Sequence, residues 1–325
     1  MLSRVPTVKA SGTIYIRADG SIDSPTAPIQ RNGDIYTLTG NIIIDVVGHG
    51  IMVERSNIVI DGNGYTIQGS FTYSYGILLS GIYNVTIIDV DIKYFYVGIF
   101  LNSSSNNVLS GNSITDDGYG IGLHYSSDNN RITGNSIGAS SSHTMPVYVG
   151  IQLEYSSANV ILGNNIVGNE VSGVSFISSS NNVIYHNNFA NNTYQFDAVK
   201  SVNIWDDGYP SDGNYWSDYS GVDLFSGPYQ NETGSDRIGD IPYTMDVDNV
   251  DNYPLIYPYG YVPSPDFNND GIIDIFDLVR MALAYGSVPG NPIWNPYVDL
   301  NQDSIIDIFD LVTVAVNFGK QWTPP

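Results

Sequence analysis

A glycine followed by an aliphatic residue returns along the first two thirds of the chain: Gly50-Ile51, Gly76-Ile77, Gly98-Ile99, Gly120-Ile121, Gly150-Ile151 and Gly173-Val174. The steps are 26, 22, 22, 30 and 23 residues. A second marker keeps the same beat, in "NNVLSGNSI" from Asn106, "NNRITGNSI" from Asn129, "ANVILGNNI" from Ala158 and "NNVIYHNNF" from Asn181. The step of 30 contains an insert, "ASSSHTMPV" after Gly138, which reads as a surface loop. Inside a period the apolar residues alternate and are broken by Asn, Gly or Ser, a pattern of short strands and not of an amphipathic helix. Such strands bury their apolar face only by stacking on the next copy. The expected fold is therefore mainly β: a right-handed parallel β-helix of about 22–23 residues per coil, with neighbouring strands ~4.8 Å apart. Asn112, Asn135, Asn164 and Asn187 fall at one phase of the period. Their amides are expected to form a ladder along a corner, where Asn also tolerates left-handed backbone.

The charge balance narrows the partners. The 325 residues carry 11 Lys and Arg against 33 acids, a net charge of −22, and no cysteine. Only Glu54, Glu154, Glu170 and Glu232 are glutamates, which leaves 29 aspartates. Nucleic acid and anionic membranes both require basic surface, so neither is an expected partner. Without cysteine there are no disulfides and no thiolate metal sites. An Asp-, Asn- and Gly-rich chain favours turns and oxygen sites for hard cations, calcium above all. No run reaches the ~18 apolar residues of a membrane span. The start, "MLSRVPTVKASG", lacks the apolar core of a signal peptide. Glycosylation tripeptides at Asn84, Asn102, Asn191 and Asn231 favour export, and the expected location is extracellular or cell-surface.

The coils resemble the NosD-like and carbohydrate-binding/sugar-hydrolase group of parallel β-helix proteins, a group common among archaeal secreted proteins. The resemblance continues through "NIWDDGYPSDGNYWSDYSG" (203–221) and "GSDRIGDIPYTMDVDNVDNYPL" (234–255), covering about residues 40 to 258. It implies a β-helix over 1–204, with 1–40 either a first coil or an N-terminal cap, and a C-terminal cap over 205–258. NosD-like proteins are linked with copper-site maturation. Copper wants clustered His, Met or Cys, whereas His49, His124, His143 and His186 are scattered, so that role is not carried over.

Enzymes on this fold that act on acidic polysaccharides place an Asp cluster beside a Lys or Arg base. Here Arg55, Lys93, Arg131 and Lys200 are not in register. Asp89 and Asp91 alternate on one strand, and Asp116-Asp117 fall in a turn, where they read as a solvated edge. No third acid lines up with them, and no catalytic residue is assigned. Trp205, Tyr209, Tyr215 and Trp216 stand among Asp206, Asp207, Asp212 and Asp218. They read either as a sugar-stacking platform or as the cap of an open solenoid end.

The last segment repeats itself. "DFNNDGIIDIFD" at 266–277 returns as "DLNQDSIIDIFD" at 299–310. Against a twelve-residue calcium loop, the ligand positions are Asp266, Asn268, Asp270, Ile272 (by its carbonyl), Asp274 and Asp277. In the second copy they are Asp299, Asn301, Asp303, Ile305, Asp307 and Asp310. Each loop runs into one helix-like segment, "IFDLVRMALAYG" or "IFDLVTVAVNFG". Paired loops lacking entering helices resemble a dockerin module, here 266–325 after a Pro-rich linker at 259–265. The resemblance implies two Ca2+ ions, a cohesin-like partner in trans, and Ile275, Phe276, Ile308 and Phe309 facing that partner. Position 6 is Gly271 in the first loop and Ser304 in the second, so the second site is expected to be the weaker. The whole reads as a non-catalytic scaffold whose β-helix shows a flank to glycan or other surface material. The rivals are a tethered polysaccharide lyase, epimerase or hydrolase, and a self-assembling surface filament.

Overall fold

A computed structural model of the chain describes residues 7–10, 12–24, 26–44, 47–70, 73–138, 149–234, 236–261, 264–268, 270–288, 291–301, 303 and 305–321. The insert at 139–148 (with His143) and Ser304 lie outside the described residues. The body is a right-handed parallel β-solenoid with three sheets of nine, nine and eight strands. The sheet of longest strands stacks Tyr75–Ser80, Val97–Asn102, Tyr119–His124, Val149–Glu154, Ser172–Ile177 and Tyr194–Val199 in parallel. Tyr75 pairs with Val97, then come Tyr119, Val149, Ser172 and Tyr194, so the register steps are 22, 22, 30, 23 and 22. The Gly-aliphatic beat is therefore the coil, and the long step leaves the register intact.

Each coil sends at least four aliphatic or aromatic side chains inward, and like stacks on like. Ile77, Ile99, Ile121, Ile151 and Val174 form one fully buried column, and Leu79, Leu101, Leu123, Leu153 and Phe176 another. Removing each of these from water contributes roughly 1.5–3 kcal/mol. The recurring glycine has a steric cause. A Cβ at Gly98 would lie 2.5 Å from Ile114 Cγ2 and 2.7 Å from the Gly120 carbonyl, and at Gly120 the clash is the same with Ile137 and Gly150.

The expected ladder is present. Asn112 donates to Asn135, Asn135 to Asn164 and Asn164 to Asn187, each at 2.9 Å, and Asn187 passes it on to Asn214 at 3.0 Å. A second ladder runs beside it through Asn107, Asn130, Asn159, Asn182 and Asn203 at 3.0–3.1 Å. The ladder Asn do not themselves take the left-handed corner. Up to Asn187 and Asn182 that conformation belongs to the residue before each: Gly111, Gly134, Gly163 and His186 on one corner, Asn106, Asn129, Ala158 and Asn181 on the other.

Parallel pairing is already present within residues 14–44, as in the first-coil reading of that segment. Ile14–Ile16, Ile35–Leu38 and Asn41–Ile44 already pair in parallel with Ile51–Val53, Ile58–Asp61 and Thr66–Gln68. They make up a first coil, with the hairpin partner Ile29–Asn32 at the sheet edge. At the other end, Trp205 and Trp216 plug the core. Trp216 stacks between Phe189 and Tyr243, with 4.5 Å between centroids on each side, and Trp205 meets Phe176 edge-on. Both Asn ladders end in this cap: Asn249 accepts from the Asn203 backbone, and Asp251 from Asn214.

The tail carries two ten-residue helices, α1 (Ile275–Ala284) and α2 (Ile308–Asn317). Each opens with a capping box, Asp274 with Asp277 and Asp307 with Asp310. A small separate core joins them through Ile273, Met281, Val298, Ile306 and Val314. The two halves cross-brace: Ile273 exchanges backbone hydrogen bonds with Gly319 and Lys320 after α2, and Ile306 does so with Gly286 and Ser287 after α1. The linker is not a free spacer at its start. Tyr259 lies flat on His186 at 4.2 Å and bonds Asn188 through both its N–H and its C=O, while Tyr257 packs edge-on against Tyr297 of the tail.

Candidate functional site

The two acidic loops have matching hydrogen-bond networks. In the first, Asp266 accepts from the N–H groups of Asp270 and Gly271, Asn268 from Asp270, and Asp270 from Ile272. Asp277 takes the N–H of Phe267 and Asn268 on one oxygen and that of Asp274 on the other. Thirty-three residues on, among the described residues, Asp299 and Asn301 accept from Asp303 and Asp303 from Ile305, while Asp310 takes the N–H of Leu300 and Asn301 on one oxygen and that of Asp307 on the other. Asp277 and Asp310 are fully buried. Among the described residues neither carboxylate has a cationic side chain as partner. A carboxylate offers about four lone-pair positions, so these N–H contacts leave acceptor capacity. Among the described residues, however, no three His, Cys, Asp or Glu side chains draw together closely enough to hold a metal.

The four residues expected to face a partner are all on the surface. Ile275, Phe276, Ile308 and Phe309 are 55%, 63%, 49% and 65% exposed. They stand in the first turns of α1 and α2, pointing away from the small core.

Other expectations are corrected. Trp205 and Trp216 are each 1% exposed, so they cannot serve as a sugar platform. Their indole N–H groups are spent on Asn249 and Asp251. Tyr209 and Tyr215 stay partly exposed beside them. Asp116 and Asp117 are buried, not a solvated edge. Asp117 receives the Phe95 N–H on one oxygen, the other has no hydrogen-bond partner, and burial pushes the carboxyl well above the usual range.

A feature assembled from several coils escaped the sequence reading. The outward face of the longest-strand sheet holds a groove of about 490 Å³, lined by Tyr75, Tyr96, Phe100, Asn102, Tyr119, Gly122, His124, Tyr125, Gln152 and Glu154. Phe100 lies over Gly122, where a Cβ would come within 2.9 Å of the ring. Tyr75 stacks on Phe100 at 4.7 Å, and His124 meets it edge-on at 4.9 Å. His124 Nε2 is 3.1 Å from Gln152 Oε1, and Nδ1 is 3.5 Å from Glu154 Oε2. Burial holds this imidazole below its usual pKa, against the opposing pull of Gln152 and Glu154. The one sequence signal was Gly122, a glycine in an outward row otherwise filled by Leu78, Phe100 and Gln152.

With coils, ladders and cap in view, comparison with known proteins settles the family. The model for the periplasmic copper-binding protein (NosD) family matches residues 13–221. The chain belongs to the NosD family. The NosD match starts within the first coil and ends inside the cap, which agrees with the observed strands at 14–44. No curated protein matches the chain. Among solved structures it is similar to the periplasmic alginate epimerase AlgG, at 19% identity over 50% of this chain and 39% of that one, with a TM-score of 0.39. It is also similar to an alginate lyase from Paenibacillus sp. str. FPU-7 (15% identity, 63% and 86% covered, TM-score 0.33) and to pectate lyase Pel9A (13%, 71% and 76%, 0.38). These are likenesses of fold. Among the described residues, no helix is long and apolar enough to cross a membrane.

Proposed function

We propose that this NosD-family chain is a non-catalytic display scaffold of the extracellular or cell-surface space, held through a dockerin-like tail by a cohesin-like partner. One observation carries the reading. Ile272, Ile275, Phe276, Val279, Leu283 and Tyr285 are exposed, and each has an exposed apolar counterpart thirty-three residues on: Ile305, Ile308, Phe309, Val312, Val316 and Phe318. Apolar surface that extensive on a small module marks an interaction site. Its duplication gives a partner two near-equivalent ways to seat.

Calcium fits the donor set of the tail. Every side-chain donor in the two loops is oxygen, and Asp277 and Asp310 are buried carboxylates with no cationic side chain beside them among the described residues. Burying a carboxylate without a counter-ion is costly, and a hard cation relieves it. Asp266, Asn268, Asp270, Asp274 and Asp277 would hold one ion with the Ile272 carbonyl, and Asp299, Asn301, Asp303, Asp307 and Asp310 the other with that of Ile305. Copper, which the family's name mentions, does not fit the described histidines. His49 Nδ1 accepts from the Tyr75 N–H, His124 is held by Gln152 and Glu154, and His186 contacts the Ser211 carbonyl under Tyr259.

The test uses the intact chain against a panel of immobilised cohesin domains, in millimolar calcium and again in excess chelator. Binding is expected only with calcium. Phe276→Ala or Phe309→Ala alone should keep most of the affinity, because the other half of the surface remains. The double variant should lose about a hundredfold or more. No binding to any cohesin, or a double variant that binds like the parent, overturns the reading. Calcium-dependent growth of the isolated chain in light scattering would favour the filament instead.

A further inference from the structure

We propose that the groove on the outward face of the longest-strand sheet binds a neutral glycan chain. The inference rests on the display-scaffold reading and gives its flank a ligand and an address. The floor is the Phe100 ring, laid over Gly122 in the space a larger residue would fill. Tyr75 stacks on that ring, Gln152 follows Phe100 and Gly122 in the same outward row, and Tyr119, His124 and Glu154 complete the lining. Its volume, about 490 Å³, lies within the range of small-ligand sites, roughly 300–1,000 Å³.

The lining defines the ligand. Aromatic faces carry a negative quadrupole and suit the weakly positive C–H faces of a pyranose ring. The amide of Gln152, the imidazole of His124 and the carboxylate of Glu154 offer donors and acceptors side by side, as sugar hydroxyls require. Among the described residues no Lys or Arg lines the groove. Glu154 is the formal charge among those lining residues, and the chain carries −22 overall, so a polyuronate or sulfated glycan would be repelled. The groove crosses four coils, from Tyr75 to Gln152. At the ~4.8 Å strand spacing that is about 14 Å, room for about three hexose units along the solenoid axis.

The experiment is calorimetric titration of the full chain with cellohexaose, mannohexaose, maltohexaose and chitohexaose, with hexaguluronate as the anionic comparison. At least one neutral hexasaccharide is expected to bind and the hexaguluronate to bind less. Tyr119→Ala and Glu154→Gln should each weaken binding about tenfold. Gly122→Leu should abolish it by displacing Phe100, with unchanged melting temperatures showing that Tyr119→Ala and Glu154→Gln remain folded. The titration repeated in excess chelator should give the same affinity, so a failure of the tail reading leaves this result standing. Binding to none of the four neutral chains overturns the proposal. So does preference for hexaguluronate, or Tyr119→Ala and Glu154→Gln variants that fold and bind like the parent.

Discussion

Asn164 donates its side-chain amide to Asn187 Oδ1 at 2.9 Å, and both residues are fully buried. The same amide reaches the carbonyls of Ile132 and Leu162, while the Asn164 oxygen accepts from the backbone and side chain of Asn135. Asn164→Ala removes all of these side-chain bonds at once, inside a fully buried stack. Each buried polar group left unpaired costs roughly 1–3 kcal/mol, so the variant is expected to lose at least about 3 kcal/mol in urea unfolding. Ser136→Ala, on the exposed side of a neighbouring strand, should change stability by less than about 0.5 kcal/mol. A ladder variant as stable as the serine variant would show that the amides are ornament.

Ala158 stands where the other coils have Asn106, Asn129 and Asn181, and like them it is left-handed, at φ +56°. Alanine in that conformation is strained by roughly 1–2 kcal/mol, a penalty Asn largely escapes. Ala158→Asn should therefore stabilise the chain by about 0.5–1 kcal/mol, read as a higher urea midpoint with an unchanged slope. Ala158→Val, β-branched and worse suited to the corner, should move the midpoint the other way.

These two predictions show what the sequence disclosed and what it withheld. The ladder at Asn112, Asn135, Asn164 and Asn187 was legible because a buried amide column repeats with the coil. Its twin through Asn130, Asn159 and Asn182 was equally periodic, but in each pair the left-handed corner and the ladder amide fall to different residues, a division that only the backbone angles show. Trp205 and Trp216 were open to two readings, platform or cap, because aromatics beside aspartates suit either use. Only the return of the chain through Tyr243, Asn249 and Asp251 makes them a plug. The groove was illegible for a related reason: Tyr75, Phe100, His124 and Glu154 come from four coils and meet only through side-chain lean across the sheet. In the tail the twofold repeat was plain. Whether Ile275, Phe276, Ile308 and Phe309 faced in or out depended on a core already filled by Ile273 and Ile306.

The cap should carry a pH response. Burial raises the Asp251 carboxyl to about 7, opposed by the indole N–H of Trp216 and the backbone N–H groups of Asn214 and Tyr253. The folded state thus binds this proton more tightly than the unfolded chain does. Its contribution to stability is complete below the unfolded carboxyl value near 4 and is lost as pH rises through about 7. Asp251→Asn abolishes that titration. The difference in melting temperature between parent and variant is expected to shift steadily against the parent from pH 4 to pH 8. A difference that stays constant across that window would mean that Asp251 remains ionised when buried.

The two acidic loops proposed to hold calcium differ at one backbone position that matters. Gly271 sits at φ +86°, a region glycine enters freely. Thirty-three residues on, the position belongs to Ser304, whose side chain makes the same conformation costly by about 1–2 kcal/mol. If the second loop wraps its ion as the first does, that strain is drawn from the binding energy, and at ~1.4 kcal/mol per decade the second site is weaker by about tenfold. Calorimetric titration of the intact chain should resolve two calcium affinities separated by that factor. Ser304→Gly should bring them together by tightening the weaker one, and Gly271→Ser should bring them together by weakening the tighter one. Two equal affinities in the parent, or a Ser304→Gly variant with the gap unchanged, would show that the position-6 backbone does not set the affinity.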